Sequence, residues 1–69
     1  MTKVLILIQC GVKLYGIVSP NGVKVVSRKS LAIKGATARF QMQLIGSFTE
    51  AQFRNKFDVI GSFMVETKQ

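Results

Sequence analysis

The sequence predicts a mainly β fold: a small antiparallel five- or six-stranded barrel with one short helix near residues 50-56. Three observations predict it. Several apolar runs have strand length, glycine and proline mark the bends between them, and a single helix-capping signature stands late in the chain. At 69 residues the chain is one small β-rich domain, 1-69.

Val4-Leu5-Ile6-Leu7-Ile8 is a continuous apolar run ended by Gln9-Cys10-Gly11, which suits a strand buried on both faces. Gly11 allows a tight connection into a second strand, Val12 to Val18. Ser19-Pro20-Asn21-Gly22 is a turn, because proline presets φ and Asn-Gly tolerates positive φ. Val23 to Arg28 returns as a third strand. The turn chemistry favours a three-residue loop with a bulge. A two- or four-residue loop segregates the side chains better: it puts Leu14, Gly16, Val18, Val23 and Val25 on one face and Lys13, Tyr15, Ile17, Lys24, Val26 and Arg28 on the other. That segregation decides the register, since burying Lys24 or Arg28 costs more than a less favoured turn.

Ser30 to Gly35 reads as a connector or short strand carrying Leu31 and Ile33. Ala36 to Ile45 alternates, with Ala38, Phe40, Met42 and Leu44 opposite Thr37, Arg39, Gln41 and Gln43, as a half-buried strand does. Thr49 with Gln52 forms a capping box and Phe48 with Phe53 a hydrophobic staple, so a helix starts at Glu50 and runs to about Lys56. Val59 to Glu66 alternates again, with Val59, Gly61, Phe63 and Val65 inward. Leu44-Ile45-Gly46-Ser47-Phe48 is echoed by Val59-Ile60-Gly61-Ser62-Phe63, which reads as coincidence or as a Gly-kinked strand motif used twice. The order β, β, β, short β, β, α, β is that of an SH3-like or OB-like barrel.

Part of the chain resembles the Sm/Sm-like family. Val4 to Gly11 followed by Val12-Lys13-Leu14-Tyr15-Gly16-Ile17-Val18 is similar to the first Sm motif, a strand and turn before an apolar-x-Gly-x-apolar strand. Ala32-Ile33-Lys34-Gly35-Ala36-Thr37-Ala38-Arg39-Phe40 is similar to the second, whose core is Ile-Arg-Gly before an alternating strand. The resemblance covers about residues 4-40 and implies a bent barrel that closes into rings through edge strands and binds RNA, with Lys34 where the family has Arg. Ser19-Pro20-Asn21-Gly22 falls where the family builds its base pocket, so no nucleobase pocket carries over. The family's N-terminal helix is missing.

Charge narrows the function. Residues 1 to 39 carry Lys3, Lys13, Lys24, Arg28, Lys29, Lys34 and Arg39 and no acid; residues 40 to 69 carry Arg54, Lys56 and Lys68 against Glu50, Asp58 and Glu66. The whole excess of +7 thus sits in the first part, which points to an anionic partner, nucleic acid first and RNA before DNA. On the predicted register Lys13, Lys24 and Arg28 ring Tyr15, giving phosphate contacts beside a ring on which a base stacks; Lys29, Lys34 and Arg39 extend the face. The bland reading is a solvated basic face.

Catalysis has little to work with. There is no His, no carboxylate pair at a useful spacing and no base beside Cys10, which reads as a small core residue; no enzyme, metal or cofactor is expected. A single cysteine excludes a disulfide framework and fits a reducing interior, and no apolar run reaches the roughly 18 residues of a membrane span. The chain therefore reads as cytoplasmic, with no membrane partner. A chain this short buries only about 60% of its unfolded surface, and its apolar residues with the six glycines make up 38 of 69. Both favour a homo-oligomer. The rival class is a protein-protein interaction or structural module, an accessory or inhibitor of a larger protein partner, acting through Ile17, Val26, Ile45 and a free edge strand.

Overall fold

A computed structural model describes residues 1–38 and 46–67. They form β1 (Thr2–Gln9), β2 (Val12–Ser19), β3 (Gly22–Val26), α1 (Lys29–Thr37), α2 (Glu50–Lys56) and β4 (Asp58–Val65). The strands make one antiparallel sheet in the order β3-β2-β1-β4. Among the described residues the sheet is open, with β3 and β4 at its edges. The mainly β class stands, and the closed barrel of five or six strands is corrected to an open sheet of four strands with two helices among the described residues.

The sheet need not close because a helix covers each face. β1 lies inside the sheet and is apolar on both sides, so it supplies two cores at once. On one side Val4 packs with Ile17 and Val65 beneath Ala32 and Ala36 of α1. On the other, Leu5 and Leu7 pack with Val23 beneath Phe53 of α2. Gly16 makes the second packing close: a Cβ there would lie 2.7 Å from Val23 Cγ1 and 3.3 Å from Phe53 Cζ.

Both hairpins are tight. Gln9 pairs with Val12 across Cys10 and Gly11, whose φ values of 52° and 76° are the paired positive angles of a two-residue turn that follows strand twist. Cys10 is therefore an exposed turn residue, not the core residue expected. Ser19 pairs with Gly22, leaving Pro20 and Asn21 as the loop. Ser19 Oγ closes it by donating to the Gly22 carbonyl at 2.9 Å and accepting from Asn21 N–H at 3.3 Å. The register that segregates the side chains is the one observed.

Ser30 to Gly35 lies within α1 and is not a strand. Leu31 and Ile33 give a period of two, but both are exposed; the buried residues are Ala32 and Ala36, four apart on one helical face. Small side chains let the helix axis approach the sheet, and the alternating larger residues face away. Ala36 and Thr37 also end α1 instead of opening a strand, and residues 39–45 of that expected strand lie outside the described residues.

The helix expected at Glu50 to Lys56 is α2. Thr49 Oγ1 accepts from Gln52 N–H at 3.3 Å, and Gln52 Oε1 accepts from Thr49 N–H at 3.1 Å, completing the capping box. Phe53 and Phe57 are in ring contact, centroids 4.7 Å apart, and Phe48 meets Phe57 edge-on.

β4 is split by a bulge. Gly61 pairs with Ile6 and Val59 with Leu7, so Ile60 is the extra residue. Val59 therefore joins the α2 core while Phe63 and Val65 join the α1 core, although all three have the same parity in sequence. The echoed pentapeptides diverge as well, since Gly61-Ser62-Phe63 is strand and Gly46-Ser47-Phe48 is irregular. That irregular segment runs along the outer edge of β3: Val23 N–H donates to the Phe48 carbonyl at 2.9 Å, and Gly46 N–H to the Asn21 carbonyl at 3.3 Å.

Candidate functional site

The register places Lys13, Tyr15, Ile17, Lys24 and Val26 on the α1 side of the sheet. α1 lies over this face, so its residues are not equally available. Ile17 is 1% exposed and Val26 half-buried, which corrects their reading as outward interface residues. Ile45 lies outside the described residues. Tyr15 is half-buried against the same core, where its ring packs the α1 face.

Lys13, Lys24, Arg28, Lys29 and Lys34 are all exposed, and Arg39 lies outside the described residues. Lys24 projects from β3 and Lys34 from the last turn of α1. Together with Ile17, Val26, Leu31, Gly35 and Ala38 they line a groove of about 420 Å³. Its floor is apolar and its two lysines are at the rim. Lys13 lies toward the other end of the face, opposite Ile8, which separates it from Asp58 by two strand spacings, roughly 10 Å.

Arg28 is the N-cap residue of α1 and Lys29 its first residue. No side chain caps the helix there and no acid stands in its first turn, so two cations face the positive end of the helix dipole. Lys29 is partly accommodated by the Phe63 ring, its Nζ 5.4 Å from the centroid. Such an arrangement costs helix stability and is relieved by an anion.

The ion pairs between described residues all lie on the opposite face. Glu50 Oε2 accepts from Lys3 Nζ at 2.9 Å and from Arg54 Nε at 3.1 Å. The hydrogen bond from Lys3, helped by that from Arg54, holds the Glu50 carboxyl below its ordinary value against a desolvation that acts the other way. Thus one carboxylate is shared by Lys3 and Arg54, and the α1-face cations are left without an acidic partner among the described residues.

The positions that matter most for the groove, Leu31, Gly35 and Ala38, had no signal as a binding site in the sequence, because only the helical path of residues 29–37 brings them beside β3. Among the described residues no three His, Cys, Asp or Glu side chains gather as a metal site, and no helix is long and apolar enough to cross a membrane. No protein-family model, curated protein or solved structure matches the chain. The segment similar to the second Sm motif is helical through Thr37.

Proposed function

We propose that the protein is a non-enzymatic binding module for single-stranded nucleic acid, RNA first, held through its phosphates along the α1 face. The observation that carries this reading is the set of exposed cations Lys13, Lys24, Arg28, Lys29 and Lys34, spread over β2, β3 and α1 with no acidic partner between them. Lys24 and Lys34 hold phosphates at the rim of the groove, and its apolar floor of Ile17 and Val26 accepts a base by burial, without hydrogen-bond readout. Arg28 and Lys29 take a further phosphate at the uncapped start of α1. Binding is backbone-directed and tolerant of sequence, since the only tyrosine is half-buried with its ring against the core.

The second reading, a protein-docking module, is favoured by two exposed apolar residues of α1, Leu31 at the groove and Ile33 away from it. The test is fluorescence anisotropy with labelled single-stranded RNA, comparing the wild type with Lys24→Glu/Lys34→Glu. The expected result is binding at low salt that falls at least about tenfold in the variant while its circular dichroism is unchanged. Equal affinity in the two proteins removes the groove from the function.

A further inference from the structure

β4 is an edge strand of eight residues, and no described residue hydrogen-bonds to its outer side. The other edge differs, because Gly46 and Phe48 bond to β3 and its turn. Soluble monomers protect a free edge with charge, most often lysine, or with proline. This chain has ten basic residues, yet none falls within Asp58–Val65, and from Val59 to Val65 there is neither charge nor proline. The bulge at Ile60 perturbs only one end of the strand, leaving Gly61 to Val65 regularly paired with β1.

Two large apolar side chains stand on this strand in water, Ile60 at 56% and Met64 at 52% exposed. They flank Ser62. An antiparallel pairing of β4 with another β4 about a two-fold axis at Ser62 would set Ile60 of each copy beside Met64 of the other and cover both.

We propose that the outer edge of β4 is a homodimer interface, at which a second copy adds its own β4 antiparallel to make one continuous eight-stranded sheet. Self-complementarity favours the identical strand as occupant. In this register Ile60 meets Met64 twice about Ser62 and the residues from Val59 to Val65 meet uncharged against uncharged, while the like charges Asp58 and Glu66 come opposite each other only at the two ends. The pairing also sends the two β3 edges, with Lys24, to opposite ends of the sheet, seven strand spacings or roughly 34 Å apart. That is well beyond a Debye length of about 8 Å at physiological salt, so the Lys24 charges of the two copies are screened from each other. Lys29 sits over Phe63 on the opposite face from Met64, and Lys3, which pairs with Met64 from β1, is held by Glu50.

The test is light scattering on size-exclusion chromatography over a range of protein concentrations, without nucleic acid. The expected result is a mass twice that of the 7.6 kDa chain, reduced to one chain in Ile60→Lys/Met64→Lys with unchanged circular dichroism. A Ser62→Cys change in a Cys10→Ser background supplies a second readout that does not need the lysine variant to fold: oxidation is expected to link two chains. A wild type that remains a single chain throughout overturns the proposal. So does an oligomer that survives both lysines, or one whose Ser62→Cys form does not cross-link.

Discussion

Lys24 and Lys34 line one groove from opposite sides, Lys24 from edge strand β3 and Lys34 from the last turn of α1, with Ile17 and Val26 as the floor between them. Neither meets an acid among the described residues. Two cations held this way repel each other weakly in water and are stabilised together by a shared anion. Polyphosphate or oligonucleotide is therefore expected to raise the melting temperature of the wild type and to raise that of Lys24→Glu/Lys34→Glu by less, since only Lys13, Arg28 and Lys29 remain to hold it. A shift of equal size in both proteins would locate the anion elsewhere.

Arg28 offers a change that separates stability from binding. It is the N-cap residue of α1, makes no side-chain capping bond, and places a cation at the wrong end of the helix dipole. Arg28→Asp supplies a cap acceptor and reverses that charge, and is expected to stabilise the fold by about 1 kcal/mol. The same change should weaken nucleic-acid binding several-fold. Denaturant unfolding and anisotropy on one variant check both, and a loss of stability would mean that Arg28 holds α1 in some other way.

The α2 core depends on a cap and a ring. Thr49→Ala removes the acceptor for Gln52 N–H and should cost about 1 kcal/mol. Phe53 is wholly buried against Gly16 and Val23. Phe53→Ala should cost about 3–5 kcal/mol, comparable with the whole stability of about 3–10 kcal/mol expected for a domain of this length. Urea titration followed by circular dichroism should show a shifted midpoint for the first and a largely unfolded protein for the second.

Glu50 gives the fold a pH dependence at the acid end. Its carboxyl is lowered from an ordinary 4.5, chiefly by the Lys3 hydrogen bond. A depressed carboxyl contributes stability that is complete above 4.5 and is lost as pH falls through the lower folded value. Because these side chains are partly exposed, the contribution is about 0.5 kcal/mol. Glu50→Gln should lose that amount at neutral pH and converge on the wild type in acid; a constant difference down to low pH would assign the effect to packing.

The legible parts of the fold were those where one physical signal stood alone. Val4 to Ile8 had no polar face to offer, so its burial on both sides followed. The Lys24 and Arg28 positions decided the hairpin register, and Thr49 with Gln52 fixed the start of α2. α1 was missed because two signals competed: the alternation of Leu31 and Ile33 is conspicuous, whereas the buried stripe is made of Ala32 and Ala36, whose low volume gives little weight to a helical period. The bulge at Ile60 was marked in sequence only by the neighbouring Gly61, which did not fix its position, yet it sends Val59 and Phe63 to different cores. For the site, the five described cations were readable from charge alone. The groove between Lys24 and Lys34 was not, since it exists only once residues 29–37 coil over the sheet and carry Lys34 to β3.

The most direct measurement is the affinity of the wild type for a labelled single-stranded RNA as a function of salt. Four or five phosphates on Lys13, Lys24, Arg28, Lys29 and Lys34 predict that the logarithm of the binding constant falls linearly with the logarithm of salt, with a slope of about −3. No binding at low salt, or binding that salt does not weaken, would contradict the account.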